Sequence, residues 1–66
     1  GGDLMKKYFA TFGVGHVNSN KVQPIIADSV LDAERKMFEV YGKEWAFVYE
    51  ENQLHTGKEH LPDIKV

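Results

Sequence analysis

The chain has 66 residues and a mass of 7.5 kDa, with 42% hydrophobic residues, 27% charged residues and a formal net charge of −2. This composition is that of a globular chain, and the length leaves room for one core layer and no second lobe. The absence of cysteine excludes a disulfide scaffold and a thiolate zinc site, and the acidic balance disfavours generic attraction to phosphate backbones.

Gly1-Gly2-Asp3-Leu4 ahead of Met5 reads as an expression-tag remnant, leaving residues 5–66 as a single small domain. Lys7–Val14 (KYFATFGV) is rich in aromatic and β-branched residues and predicts a strand. Alternation puts Tyr8, Ala10, Phe12 and Val14 on one face and Phe9, Thr11 and Gly13 on the other, so both faces carry apolar side chains. Gly15–Lys21 (GHVNSNK) has the composition of a loop, and Val22–Ala27 (VQPIIA) resumes extended structure. Pro24 cannot donate a ladder hydrogen bond, which places that second strand at a sheet edge or marks a bulge.

Ser29 with Asp32 three residues on is an N-cap in a variant of the capping box, and Gly42 is a left-handed stop, so a helix spans the interval to Tyr41. Val30, Ala33, Met37, Val40 and Tyr41 make its apolar stripe, broadened on one flank by Leu31 and Phe38. Trp45–Tyr49 (WAFVY) predicts a third strand with Trp45, Phe47 and Tyr49 on one face. Beyond Glu50 the chain turns polar, with a turn at Thr56-Gly57-Lys58, and Leu61–Val66 (LPDIKV) supplies a short last edge strand weakened by Pro62.

The expected fold class is α+β: a three- to four-stranded, mainly antiparallel sheet with one helix packed on one face, in the order ββαβ or ββαββ. The expected core comprises Tyr8 or Phe9, Phe12, Ile25 or Ile26, Val30, Ala33, Met37, Val40, Tyr41, Trp45 and Phe47. One helix covers one sheet face, so aromatic surface on the other face is expected to stay open as a contact surface. No apolar run approaches the roughly 20 residues of a membrane-spanning helix, and a cytoplasmic protein is expected.

The chemistry-bearing residues form no catalytic or metal-binding pattern. His16, His55 and His60 match no familiar zinc spacing and read as solvated loop residues; no metal or cofactor is expected. Gly13 and Gly15 in TFGVGH lack the following helix of a dinucleotide loop, and Thr56-Gly57-Lys58 lacks the remainder of a P-loop, so all read as turn residues. The aromatics offer a base-stacking platform only if basic residues adjoin them, and the lysines are scattered. The carboxylates interleave with Arg35, Lys36 and Lys43 as a solvated face. By subtraction the expectation is a non-enzymatic protein-binding domain, with Phe9, Thr11, Glu34, Phe38, Glu39 and Tyr49 as partner-binding candidates. The alternatives are a single-stranded nucleic-acid module that stacks bases on open-face aromatics, or a small self-associating protein that forms a homodimer.

The runs KKYFATFGVGH and KMFEVYGKEWAFVYEE resemble small proteins encoded by phages and integrated mobile elements of Gram-positive bacteria. The resemblance covers most of Lys6–Glu51, rests on "TFG-G" and "MFE-YG--WAF-Y", and excludes Asn52–Val66. It implies a protein without enzymatic activity that binds and modulates or inhibits a protein of the bacterial host, and it assigns no residue a role.

Overall fold

The computed structural model describes residues 5–66, so the tag remnant read into Gly1–Leu4 lies outside the described residues. Lys6–Ala10 forms β1, Lys21–Ala27 β2, Val30–Tyr41 the helix α1, and Val48–Glu50 β3. A 3-10 turn at Glu51–Gln53 then leads to two short strands, β4 at Glu59–His60 and β5 at Ile64–Lys65. The fold is α+β, one helix on a 5-stranded mixed sheet in the order β3-β1-β2-β4, with β5 also paired to β2. β1 is antiparallel to both β2 and β3, whereas β4 and β5 run parallel to β2.

The helix begins and ends where local chemistry dictates. Ser29 is extended and its Oγ accepts the Asp32 N–H at 3.2 Å, while Gly42, at φ 65°, donates its N–H to the Phe38 carbonyl at 2.9 Å. The buried line of α1 runs from Ala33 through Met37 to the partly buried Tyr41. Val30 and Val40, both expected in the core, are 43% and 46% exposed. Val30 opens the first turn and Val40 stands one residue off the buried line in the last, so neither reaches the sheet.

Beneath the helix lie Tyr8, Ala10 and Phe12 from β1 and its extension, with Ile25 and Ala27 from β2; Val48, Leu61 and Ile64 pack against this cluster. The opposite face is covered as well. β3 and β4 lie at opposite edges of the sheet and both run parallel to β2, so residues 51–58 must cross it. A right-handed crossover between parallel strands puts this connection on the face away from α1. Leu54 is its one residue that is not exposed, and Lys58 Nζ donates to the Ser19 carbonyl at 3.0 Å on the far side. Phe9, Val22 and Pro24 are buried on that face, and the Phe9 ring lies 5.2 Å from that of His60. The expectation of an open sheet face is therefore corrected over β1 and β2, where Tyr8 and Phe9 are both core residues, one on each face, while the β3 end of that face stays open with Phe47 64% exposed.

Two bulges set the remaining departures from simple alternation. The pairing of Phe9 with Tyr49 and Ala10 with Val48 would set Thr11 opposite Phe47. The Thr11 N–H does donate to the Phe47 carbonyl at 2.9 Å, but the Thr11 carbonyl accepts from Ala46 at 2.8 Å. Two residues thus oppose one, which turns the preceding side chain to the other face. Trp45 consequently packs against the helix-side core, whereas Phe47, expected beside it in the core, points away and is 64% exposed. The predicted strand over Trp45–Tyr49 is regular only from Val48 for the same reason.

The second bulge answers Pro24. The Leu61 N–H donates to the Val22 carbonyl and the Val66 N–H to the Ile26 carbonyl, so four tail residues (62–65) span what three residues of β2 (23–25) span. The register accordingly advances from Val22–His60 to Ile25–Ile64. Alternation along β2 aims residues 22, 24 and 26 at the tail, so the N–H that Pro24 lacks would have pointed there. Pro24 is not at an edge, as one reading of it required; the adjoining tail strand is bulged instead.

Gln23 closes this gap. Its Nε2 donates to the Pro62 carbonyl at 2.6 Å and to the Pro24 carbonyl at 2.9 Å, and its Oε1 accepts from the Tyr41 hydroxyl at 2.5 Å. Two carbonyls can only accept and fix which end is the amide nitrogen. Gln23 is the one buried polar residue among those described, and all its partners are present. Burial pushes the Tyr41 hydroxyl above its ordinary value of 10.0. A hydroxyl whose folded value is raised contributes stability that is complete below the unfolded value and lost as pH climbs through the folded one. Unfolding free energy measured by denaturant titration is therefore expected to decline above pH 10.0, and Tyr41→Phe to remove that share of the decline.

Candidate interaction surface

The six candidate contact residues do not converge on one surface. Glu34, Phe38 and Glu39 lie on α1, whereas Phe9, Thr11 and Tyr49 lie on the opposite face of the sheet. Phe9 is 8% exposed beneath the tail and is withdrawn as a contact residue. Thr11 and Tyr49 are half-buried, the backbone of Thr11 being tied to Ala46 and Phe47. Loss of Phe9 to the interior also removes one ring from the stacking platform considered for nucleic acid.

On the helix, Leu31 is 55% and Phe38 53% exposed. Seven residues apart, they share one flank across two turns. The Phe38 ring meets Trp45 edge-on, with centroids 5.1 Å apart and planes at 73°. Trp45 is itself fixed by its Nε1–H, which donates to the Gly42 carbonyl at 3.0 Å, the carbonyl of the residue that stops the helix. The result is a fixed aromatic pair of Phe38 and Trp45, with Leu31 two turns back on the same flank and the half-buried Glu34 and exposed Arg35 in the turn between. Glu39 does not border it, because it faces Lys36 at 3.4 Å on the other side. Trp45 was assigned to the core from its sequence pattern, and only the bulge at Ala46–Phe47 reveals its place beside Phe38.

The histidines are not all solvated loop residues. His16 stacks on Phe12 at 4.8 Å and 25°, its Nδ1 accepts the Asn18 N–H at 2.9 Å, and its Nε2 lies 3.6 Å from Glu44. His60 lies against Phe9, and His55 alone is exposed without such contact. Among the described residues no three His, Asp or Glu side chains converge as a metal site. Gly15 has φ 92°, the left-handed turn conformation its loop reading requires. No helix among the described residues is long and apolar enough to cross a membrane.

No family model, curated protein or solved structure matches the chain. The functional reading therefore rests on the surface just described. It offers exposed aromatic area next to charged side chains.

Proposed function

We propose that this protein is a non-catalytic protein-binding domain and that the Phe38–Trp45 pair, with Leu31 on the same flank, is its contact surface. The observation that carries the reading is the exposure of Phe38, and of Leu31 on the same helix flank, with Phe38 packed on a tryptophan already locked in place by Gly42. A preorganised aromatic surface loses little entropy on binding, and aromatic anchors supply much of the energy of protein interfaces. The likeness of KKYFATFGVGH and KMFEVYGKEWAFVYEE to mobile-element proteins supports a partner in a bacterial host, whose activity the bound domain modulates or inhibits.

The test is retention from nuclease-treated bacterial lysate on the immobilised domain, compared with Phe38→Asp. A single protein retained by the parent, and retained at least about tenfold less by Phe38→Asp, is the expected result for the loss of one aromatic anchor. Retention that vanishes on nuclease treatment would replace this reading with nucleic-acid binding. Equal retention by the variant would move the contact surface elsewhere.

A further inference from the structure

The edge of β3 is the second surface left open, and its hydrogen-bonding groups are specific. Because Thr11 and Phe9 bond across to Phe47 and Tyr49, alternation turns the N–H and C=O of Val48 and Glu50 away from β1. The bulge adds a third group, since Ala46 has taken the place of Phe47 as donor to Thr11 and leaves the Phe47 N–H outside the β1 ladder. The Glu50 N–H is already capped by Gln53 Oε1 at 2.9 Å. Among the described residues, Val48 is thus left presenting both a free donor and a free acceptor along the edge. Beside it, Phe47 is 64% exposed and its ring centroid lies 6.2 Å from that of Tyr49.

We infer that this edge pairs with the β3 edge of a second copy of the chain, antiparallel across a two-fold axis at Val48. The geometry is self-complementary. Val48 faces its counterpart, so each N–H meets the other's carbonyl, and both free groups are satisfied by a strand that offers the same two. Phe47 then stands opposite Tyr49 of the second copy, and Tyr49 opposite Phe47, which places two cross-strand aromatic pairs on one face. Glu50 falls opposite Ala46, so no two like charges meet directly across the pair. The Gln53 cap limits the ladder to its centre, which keeps the association reversible and prevents further strand addition along the edge. Pairing also extends the small core of a 7.5 kDa chain, a size at which association commonly supplements folding.

Sedimentation equilibrium of the full chain over about a hundredfold range of concentration tests this, because a reversible dimer obeys mass action. The average mass of the parent is expected to rise from the 7.5 kDa of the monomer toward twice that value. Phe47→Lys, a charge on an exposed edge position, is expected to hold the mass at the monomer value throughout. Hydrogen exchange of the Val48 amide in the parent protein supplies a readout independent of any variant. That amide is expected to slow as concentration rises, while amides of α1 do not change. A parent that stays monomeric over the range overturns the inference. So does a dimer in which the Val48 amide remains unprotected, because another surface would then be in use.

Discussion

Gln23→Ala is expected to be among the most damaging single substitutions in this chain, lowering unfolding free energy by roughly 3 kcal/mol, although the residue is polar. Truncation removes both donors from the bulge and strands the Pro62 and Pro24 carbonyls beside a proline that offers no N–H of its own. It also leaves the Tyr41 hydroxyl without its acceptor. An unsatisfied buried polar group costs about 1–3 kcal/mol, and here the buried Pro24 carbonyl and two partly buried groups lose their partner together. Gln23→Glu separates chemistry from shape: it keeps the size but turns the amide donor into an acceptor facing two carbonyls. It is expected to destabilise at least as strongly as Gln23→Ala at neutral pH. Urea unfolding followed by Trp45 fluorescence measures both, and a Gln23→Glu variant as stable as the parent would mean that the amide does not hold the tail.

Removal of residues 59–66 is expected to abolish the folded state altogether. Leu61 and Ile64 pack, partly buried, against the central cluster, and full burial of a side chain of that size would contribute about 1.5–3 kcal/mol, an upper bound for each. The same deletion takes the partners of the Val22 and Ile26 carbonyls, the cover over Phe9 provided by His60, and the acceptor of one Gln23 donor. A chain of this length has a total stability of roughly 3–10 kcal/mol, which these losses consume. The measurement is the dispersion of amide resonances in the truncated chain. A dispersed, parent-like spectrum would show that the tail is an accessory strap and that β1, β2, α1 and β3 fold without it.

The contrast between the two ends of the molecule explains what could be read in advance. The Ser29 cap and the Gly42 stop are each decided within four residues, because their hydrogen bonds run to Asp32 and Phe38 on the same turn of chain. The antiparallel pairing of β1 and β2 was legible for a similar reason, since a loop connects neighbouring strands. The tail was not legible. Its polar composition from Glu51 to His60 resembles an exposed loop, and the bond that anchors it joins Gln23 to Pro62, which are 39 residues apart. Nor could composition choose between Tyr8 and Phe9, because each alternative assumed that only one sheet face is covered.

The interaction surface divides in the same way. Phe38 was visible as an exposed flank of a helix whose phase is set by Ala33 and Met37. Its neighbour Trp45 was not, because strict alternation put it with Phe47 and Tyr49, and a single bulge moves it across the sheet. Local sequence by itself determined the helix, its ends, the α+β class and the presence of the first two strands, all of which depend on propensity, capping and short loops; it did not fix where β1 stops, since the strand expected to run to Val14 ends at Ala10 and Val14 is fully exposed in the turn beyond. Only the tertiary structure decided the parallel tail, the role of Gln23 beside Pro24, the burial of Phe9 and the meeting of Trp45 with Phe38. Each of those depends on which distant backbone groups find partners, a condition met across the whole sheet rather than within any one segment.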